Sequence, residues 1–218
     1  MKQNRLHKSV CLFDFDGTLV DSMGAFADLA ARLMVESYGM DRQVARQEYL
    51  RTSGLPFCFQ LEEIFPDHPK NIQVAEKFEA TKQEGYWSAP FFGEVLSALK
   101  ALQESGVRTA VSSNNGQEVV ERYLAVQGAA DCFDLVLGYR PGFSKGKEHF
   151  AEVLRYFGVS AGDVLFVGDS LHDGEKAKDF GFDFVGRAGT FSRERFQEVF
   201  PGVTVVEDLL GLAEVLCR

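Results

Sequence analysis

The chain has 218 residues, of which 45% are hydrophobic and 25% charged, and its formal net charge at pH 7 is -9. This composition can build a sizeable hydrophobic core, so we expect a folded protein rather than a disordered one. The acidic balance disfavours nucleic acid or an anionic membrane surface as the main partner. The sequence has no apolar stretch long enough to span a bilayer. Its oligomeric state cannot be predicted from the sequence.

The N-terminal segment "MKQNRLHK" is basic, and two acids, Asp14 and Asp16, interrupt the apolar run that follows it. The run is therefore too short for a signal sequence. The four cysteines lack the paired spacing of metal sites, and a chain of this size needs no disulfide bonds. We expect a cytoplasmic protein.

The run "SVCLFDF" predicts a buried strand near the N-terminus. From Ser22 to about Trp87 the strand signal disappears, and three segments predict helices: "MGAFADLAARLMVESYG", "RQVARQEYL" and "NIQVAEKFEATKQEGYW". The turn-rich stretches "RTSGLP" and "PDHPKN" separate them. A helical block is thus inserted after the first strand.

From about Pro90 onward, short apolar runs alternate with helical periodicity. Five runs predict strands: "VRTAVSS", "FDLVLG", "DVLFVGD", "FDFVG" and "VTVVED". This βαβ alternation predicts a parallel sheet flanked by helices. We therefore expect an α/β core of residues 1–20 and 90–218 and an α-helical insert of residues 21–89.

Ligands of open parallel α/β sheets bind at the carboxyl ends of the strands, so the polar residues that end each apolar run are candidate site residues. Lys145 and Lys147 stand before the fourth strand, in the loop that leads to its preceding helix. The candidates at strand ends are Asp14 and Asp16 after the first strand, Ser112, Ser113 and Asn114 after the second, and Asp169 and Asp173 after the fourth.

Asp14 and Asp16 lie two residues apart on an extended segment, so their side chains leave on the same face. Converging carboxylates repel each other unless a cation lies between them. Mg²⁺ fits this setting because it takes one or two carboxylates, keeps several waters and completes its shell with a substrate phosphate. The pattern therefore predicts Mg²⁺ as a cofactor and a phosphorylated small molecule as the partner.

Lys145 can neutralise more of the phosphate charge, and Ser112 with the backbone N–H groups after it can donate to phosphoryl oxygens. Asp14 is then available as a nucleophile that forms an aspartyl phosphate. Asp16 would protonate the leaving oxygen and then take a proton from the attacking water. Gly17 and Thr18 suit a sharp turn after these acids.

These motifs resemble those of the haloacid dehalogenase (HAD) superfamily. "DFDGTLVDS" is similar to its first motif, the serine after "TAV" to its second, the lysine before the helix that ends in "FGV" to its third, and "GDSLHD" to its fourth. All four occur in the family's order over nearly the whole chain. The insert is similar to the helical cap of the subgroup that includes phosphoglycolate phosphatase and β-phosphoglucomutase.

The resemblance implies a Rossmann-like core, an α-helical cap and a Mg²⁺-dependent hydrolase of phosphoric monoesters. It implies that Asp14 is nucleophile and metal ligand, and that Asp16 is acid and base and binds the metal through its backbone carbonyl. Asp169 would complete the protein ligands of the metal, with Asp173 as a nearby supporting carboxylate. Caps of this kind close over small phosphorylated metabolites and exclude water.

Several assignments have alternatives. Ser113 competes with Ser112 for the second motif, and Lys147 competes with Lys145 for the third. Arg51, before "TSGLPFCFQ", is a candidate contact for an anionic substrate group, although the aromatic residues there are better explained as packing of the insert's own core. His172 is expected to be a loop residue rather than a ligand, because Mg²⁺ rarely binds imidazole.

The same motifs also fit a sugar phosphomutase, in which a bound sugar phosphate rather than water attacks the aspartyl phosphate. A phospho-aspartate signalling module is less consistent with the sequence, because its phosphorylated residue follows a middle strand of a compact domain without an insert. The sequence thus favours a phosphatase of a small phosphorylated metabolite, with the mutase as the alternative.

Overall fold

The protein is described by a computed structural model that covers residues 8–85 and 89–217. The chain forms two compact units. The core unit contains the chain up to Val20 and from Phe91 onward, and the helical unit runs from Asp21 to Pro90. The predicted helix end at "YW", residues 86–87, lies outside the described residues.

The core unit contains a six-stranded sheet in the order β3-β2-β1-β4-β5-β6, and every pairing in it is parallel. This arrangement confirms the predicted α/β fold with a Rossmann-like parallel sheet. The strands are β1 (Val10–Phe13), β2 (Arg108–Gly116), β3 (Leu135–Tyr139), β4 (Val164–Gly168), β5 (Asp183–Arg187) and β6 (Thr204–Val206).

The helical unit contains α1 (Met23–Tyr38), α2 (Arg42–Arg51), α3 (Phe57–Ile64) and α4 (Asn71–Gly85). The sequence did not predict α3, because it is only one residue longer than two helical turns and follows a turn-rich stretch in which Pro56 takes the N-cap position. Phe57, on α3, is buried with its ring centroid 4.2 Å from that of Phe78. The aromatic side chain thus packs the unit's own core, whereas Phe59 is exposed.

The helices of the core unit flank the sheet. Gly158 ends one of them with φ of 64°, a left-handed conformation that glycine adopts readily. These helices are α5 (Val95–Glu104), α6 (Gln117–Val126), α7 (Lys147–Phe157), α8 (Leu171–Phe180), α9 (Arg193–Val199) and α10 (Leu210–Cys217). Two short 3-10 turns, Ala130–Cys132 and Ala161–Asp163, precede β3 and β4.

Strand β1 is the centre of the core unit, since β2 and β4 pair with it on either side. All four of its residues are buried. On one face of the sheet, Leu12 belongs to the same cluster of buried apolar residues as Phe150 and Phe166. This packing fixes the carboxyl end of β1, where Asp14 follows. Among the described residues, no helix has the length and apolar character needed to cross a membrane.

Candidate active site

The site lies at the carboxyl ends of β1, β2 and β4. Phe13 pairs with Val111 of β2 and with Val167 of β4, so the residue after Phe13 lies between the ends of both neighbours. That residue is Asp14, whose N–H continues the ladder by donating to the Val167 carbonyl at 2.9 Å. Asp169 follows β4 directly, so sheet topology brings the two acids together.

Asp14, Asp169 and Asp173 form the carboxylate cluster of this site. All three side chains are buried, and one carboxylate oxygen of each lies within 4.8 Å of those of the other two. Burial raises the pKa of Asp14 to about 6. The charge of Lys145 lowers this pKa, and the charge of Asp173 raises it. Burial and the charges of Asp14 and Asp173 raise the pKa of Asp169 well above its usual range. Three buried oxygen donors with this mutual repulsion suit a hard divalent cation.

Lys145 supplies a buried positive charge to the cluster. Its Nζ lies 2.5 Å from Oδ1 of Asp14 and 2.5 Å from Oδ1 of Asp173. Burial alone would lower the pKa of Lys145, but the two carboxylates raise it above its ordinary value. The lysine is therefore protonated at neutral pH. Lys147, its competitor in the sequence, is exposed at the start of α7.

Asp173 also caps the start of α8. Its Oδ2 accepts hydrogen bonds from the N–H and the hydroxyl of Ser170, which completes a capping box. Burial would raise the pKa of Asp173, but Lys145 and Lys176 outweigh burial and lower it. Asp173 is thus an ionised carboxylate held by the helix cap on one oxygen and by Lys145 on the other. His172 lies in the first turn of α8 rather than in a loop as expected, and its Nδ1 is 2.8 Å from Oε2 of Glu175.

The side chain of Asp16 does not belong to the three-carboxylate cluster found among the described residues. Its Oδ2 accepts a hydrogen bond of 2.6 Å from Nδ2 of Asn115. Gly17, with φ of 78°, turns the chain after Asp16, and its N–H donates to the Val20 carbonyl at 2.8 Å. The Thr18 hydroxyl donates to Oδ2 of Asp14 at 3.3 Å, so the turn also orients the first acid.

The two serines of β2 have different surroundings. Ser112 is completely buried, and its Oγ lies 2.9 Å from Nδ1 of His149 on α7. Burial lowers the pKa of His149 to about 4, so this imidazole is neutral at physiological pH. Ser113 Oγ accepts a hydrogen bond of 3.1 Å from the Asn115 N–H. Neighbouring residues of a strand point to opposite faces, which accounts for this difference.

Strand β2 is longer than the sequence indicates. The predicted strand "VRTAVSS" ends at Ser113, whereas β2 continues to Gly116 through an irregularity in its register and α6 begins at Gln117. Asn114 is therefore half-buried in the strand end rather than in the first turn of a helix.

Arg51 lies in the helical unit as the last residue of α2. Its guanidinium donates to Glu48 at 2.9 Å and to Glu63 at 2.6 Å. Both pairs are exposed, and each glutamate helps to keep Arg51 charged by raising its pKa. Contact of Arg51 with a substrate stays a prediction.

Three residues of the site are not among the candidates that the sequence predicts. Thr190 donates its hydroxyl hydrogen to Oδ2 of Asp169, His149 contacts Ser112, and Asn115 holds Asp16. Thr190 follows β5, so the strand-end rule could have found it. His149 lies in the first turn of α7, and no signal in the sequence pairs it with Ser112 of β2.

Comparisons with known proteins show which family the chain belongs to. The chain is 29% identical over 191 residues to a phosphoglycolate phosphatase from Pectobacterium atrosepticum, covering 80% of this chain and 77% of that protein. It is 25% identical over 171 residues to the pyrophosphatase PpaX from Listeria innocua, covering 77% of each.

A solved structure and a family profile extend the comparison. A HAD-superfamily hydrolase of subfamily IA, variant 1, from Geobacter sulfurreducens has the same fold, with a TM-score of 0.65, 23% identity and coverage of 99% of both chains. The profile of the haloacid dehalogenase-like hydrolases matches residues 11–187. The resemblance drawn from the sequence motifs is thus confirmed, and the chain belongs to the haloacid dehalogenase-like hydrolase family.

Proposed function

We propose that the protein is a Mg²⁺-dependent phosphatase that hydrolyses a small phosphorylated metabolite through an aspartyl phosphate on Asp14. The observation that carries this proposal is the position of Asp14 at the end of the central strand. There it contacts the buried cation of Lys145 and lies within reach of Asp169 and Asp173. The phosphatase names of the relatives support the same reaction class.

In the proposed reaction a carboxylate oxygen of Asp14 attacks phosphorus, and the bond from phosphorus to the leaving oxygen breaks. The leaving oxygen takes a proton from Asp16. Asp16 then accepts a proton from a water molecule as that water attacks phosphorus, which releases inorganic phosphate and restores the Asp14 carboxylate. Lys145 balances the negative charge of the phosphoryl group in both steps.

The residues fit a divalent cation because three buried carboxylates converge. Burial, with a smaller contribution from neighbouring acids, raises the pKa values of Asp14 and Asp169 and so disfavours their charged forms without a cation. Asp14 and Asp169 would hold the ion with the backbone carbonyl of Asp16, and Asp173 would support them. When bound, Mg²⁺ would offset the charge on the phosphoryl oxygens. Loss of activity with a chelator tests this assignment.

For the hydroxyl that meets the phosphate, we propose Ser113 in preference to Ser112. Ser112 Oγ is completely buried and bonded to His149. The bond from the Asn115 N–H uses a lone pair of Ser113 Oγ and leaves its O–H hydrogen available to a phosphoryl oxygen. Asn114 and the backbone around Gly17 and Thr18 would complete the phosphate site.

The helical unit is proposed to act as the cap that selects the substrate, with Arg51 as a contact for an anionic group. The cysteines Cys11, Cys58 and Cys132 are free thiols. Free thiols are usual in reducing compartments, and we propose that the protein is cytoplasmic.

The direct test is phosphate release from a panel of phosphorylated compounds, with Mg²⁺ and with a chelator. The panel contains sugar phosphates, sugar-alcohol phosphates and nucleoside monophosphates, together with phosphoglycolate and pyrophosphate, which the relatives' names suggest. Asp14→Asn should reduce turnover at least about a thousandfold, because it removes the nucleophile. Asp131→Asn makes the same chemical change at an exposed position and should leave turnover at the parent rate.

Chelator-resistant phosphate release, or parent-like activity of Asp14→Asn, would contradict the proposal. Phosphoryl transfer between sugar phosphates without net release of phosphate would identify the mutase alternative. Failure of every compound to react with Asp14, judged by mass spectrometry of the protein, would overturn both.

A further inference from the structure

The hydrogen bond between Asn115 and Asp16 joins two parts of the chain that are 99 residues apart. Asp16 lies in the bend after β1, where its backbone bridges to Val20. Asn115 lies near the end of β2 and is buried, with 8% of its surface exposed. The donor is therefore fixed by the sheet rather than by a flexible surface loop.

The surroundings of Asp16 also indicate a defined position for its carboxylate. Nearby on α6, Tyr123 is buried, and burial with a smaller contribution from the charge of Asp16 raises its pKa to about 12. The Tyr123 ring is packed edge-on against Phe15 and Phe91, with centroid distances of 5.3 Å to each. The bond from Asn115 thus directs the Asp16 carboxylate toward the end of β2, and among the described residues this carboxylate is not part of the cluster of Asp14, Asp169 and Asp173.

Asn115, as the hydrogen-bond partner of Asp16, is of a chemical type that suits a carboxyl group that exchanges protons. A lysine or arginine in the same place would favour the ionised carboxylate and oppose its protonation. The neutral amide of Asn115 donates one hydrogen bond through Nδ2 and carries no charge. It fixes the direction of the carboxyl group without placing a charge beside it.

We propose that Asn115 is a positioning residue that holds the carboxyl group of Asp16 in line for proton transfer. This inference rests on the proposed phosphatase function and on the proton steps assigned to Asp16 there. In the first step the Asp16 O–H bond breaks as the proton moves to the leaving oxygen. In the second step the proton returns to Asp16 from the attacking water.

The test compares two substrates of nearly the same shape, phenyl phosphate and p-nitrophenyl phosphate. The phenolate leaving group needs a proton from Asp16 more than the less basic nitrophenolate does. In Asn115→Leu, which keeps the size of the side chain but removes the donor, kcat/KM should fall about tenfold more for phenyl phosphate than for p-nitrophenyl phosphate. A structural defect would lower both values by the same factor.

The matched control is Gln103→Leu, which removes an amide donor that bonds the Cys132 carbonyl at 3.1 Å on the exposed side of α5. It should leave the substrate ratio at the parent value. Should Asn115→Leu fail to fold, Asn115→Ser keeps a polar residue and still withdraws the donor from Asp16.

An unchanged ratio in the folded variant, whatever its absolute activity, would overturn the role of Asn115. Failure of the phosphatase function itself would look different. The parent protein would then release no Mg²⁺-dependent phosphate from either ester, or Asp14→Asn would release phosphate at the parent rate.

Discussion

At the scale of single residues, Lys145 determines which acids of the cluster are neutralised. Its Nζ contacts Asp14 and Asp173, at 2.5 Å each. Asp169 instead has the hydroxyl of Thr190 as a donor, and Lys145 lowers its pKa less than the neighbouring acids raise it. Asp169 is therefore the residue whose charge the folded protein tolerates least without a cation.

Asp169→Asn should stabilise the protein in the absence of metal. Because the folded state raises the pKa of Asp169 above its ordinary value of 3.8, the stability that this group contributes is present below that value and is lost as pH rises through the folded pKa. The neutral amide avoids this loss. Urea unfolding in chelator should therefore give the variant the larger free energy of unfolding at about pH 8, with the gap closing near pH 4.

The same variant should lose the benefit of Mg²⁺. At roughly 100 times its dissociation constant, Mg²⁺ should raise the free energy of unfolding of the parent by about 2.7 kcal/mol and that of Asp169→Asn by much less. A parent that is more stable than the variant at alkaline pH without metal, or equal stabilisation of both by Mg²⁺, would refute this account of the cluster.

At the scale of elements, the join between β4 and α8 sets the position of Asp173. Gly168 ends β4, and a Cβ atom added there would lie 2.6 Å from Cβ and 2.6 Å from Oδ2 of Asp173. The first of these atoms is the base of a side chain that the helix cap holds in place. Only glycine therefore permits the approach of this strand end to α8.

Gly168→Ala should displace Asp173 and weaken its pairing with Lys145. We expect a loss of about 1–3 kcal/mol in the free energy of unfolding, as for other overpacked interiors, together with reduced kcat. Denaturant unfolding and phosphate release measure the two effects.

Gly24→Ala is the matched control, because a Cβ atom there meets nothing within 4 Å and the residue lies in α1. Its stability should be unchanged or raised, since alanine favours helix more than glycine does. Equal behaviour of the two variants would show that the approach of Gly168 to Asp173 is not under steric constraint.

The elements differ in how far their sequences predict them. The strands beside β1 were predictable because buried parallel strands are short, almost wholly apolar runs that end in a polar residue. Helix α3 was not, because Phe57 and Phe59 alternate as in a strand and the preceding turn masks the helix start. The extension of β2 to Gly116 was also missed, because asparagine and glycine are typical of turns rather than of strands.

The contacts of the site were less predictable than its acids. Asp14 and Asp169 end adjacent strands, so topology alone predicts their meeting. The bonds from Asn115 to Asp16 and from Ser112 to His149 depend instead on the face of the strand and the rotation of α7, which one sequence does not specify.

At the scale of the whole molecule, the protein has a formal net charge of -9, whereas its proposed substrate is an anion. Its overall field opposes the approach of a phosphate, so attraction has to come from local groups. Lys145 and a bound divalent cation would supply that attraction within the core unit. The helical unit enters the chain at Asp21, shortly after the residues that would react.

The central claim is that Asp14 becomes phosphorylated during turnover, and chemical trapping tests it most directly. Borohydride added during turnover reduces an acyl phosphate, so peptide mass spectrometry should find homoserine at position 14 only when substrate and Mg²⁺ are both present. Asp14→Asn should show no such product. Trapping at another residue, or continued turnover without any trapped product at position 14, would contradict the mechanism.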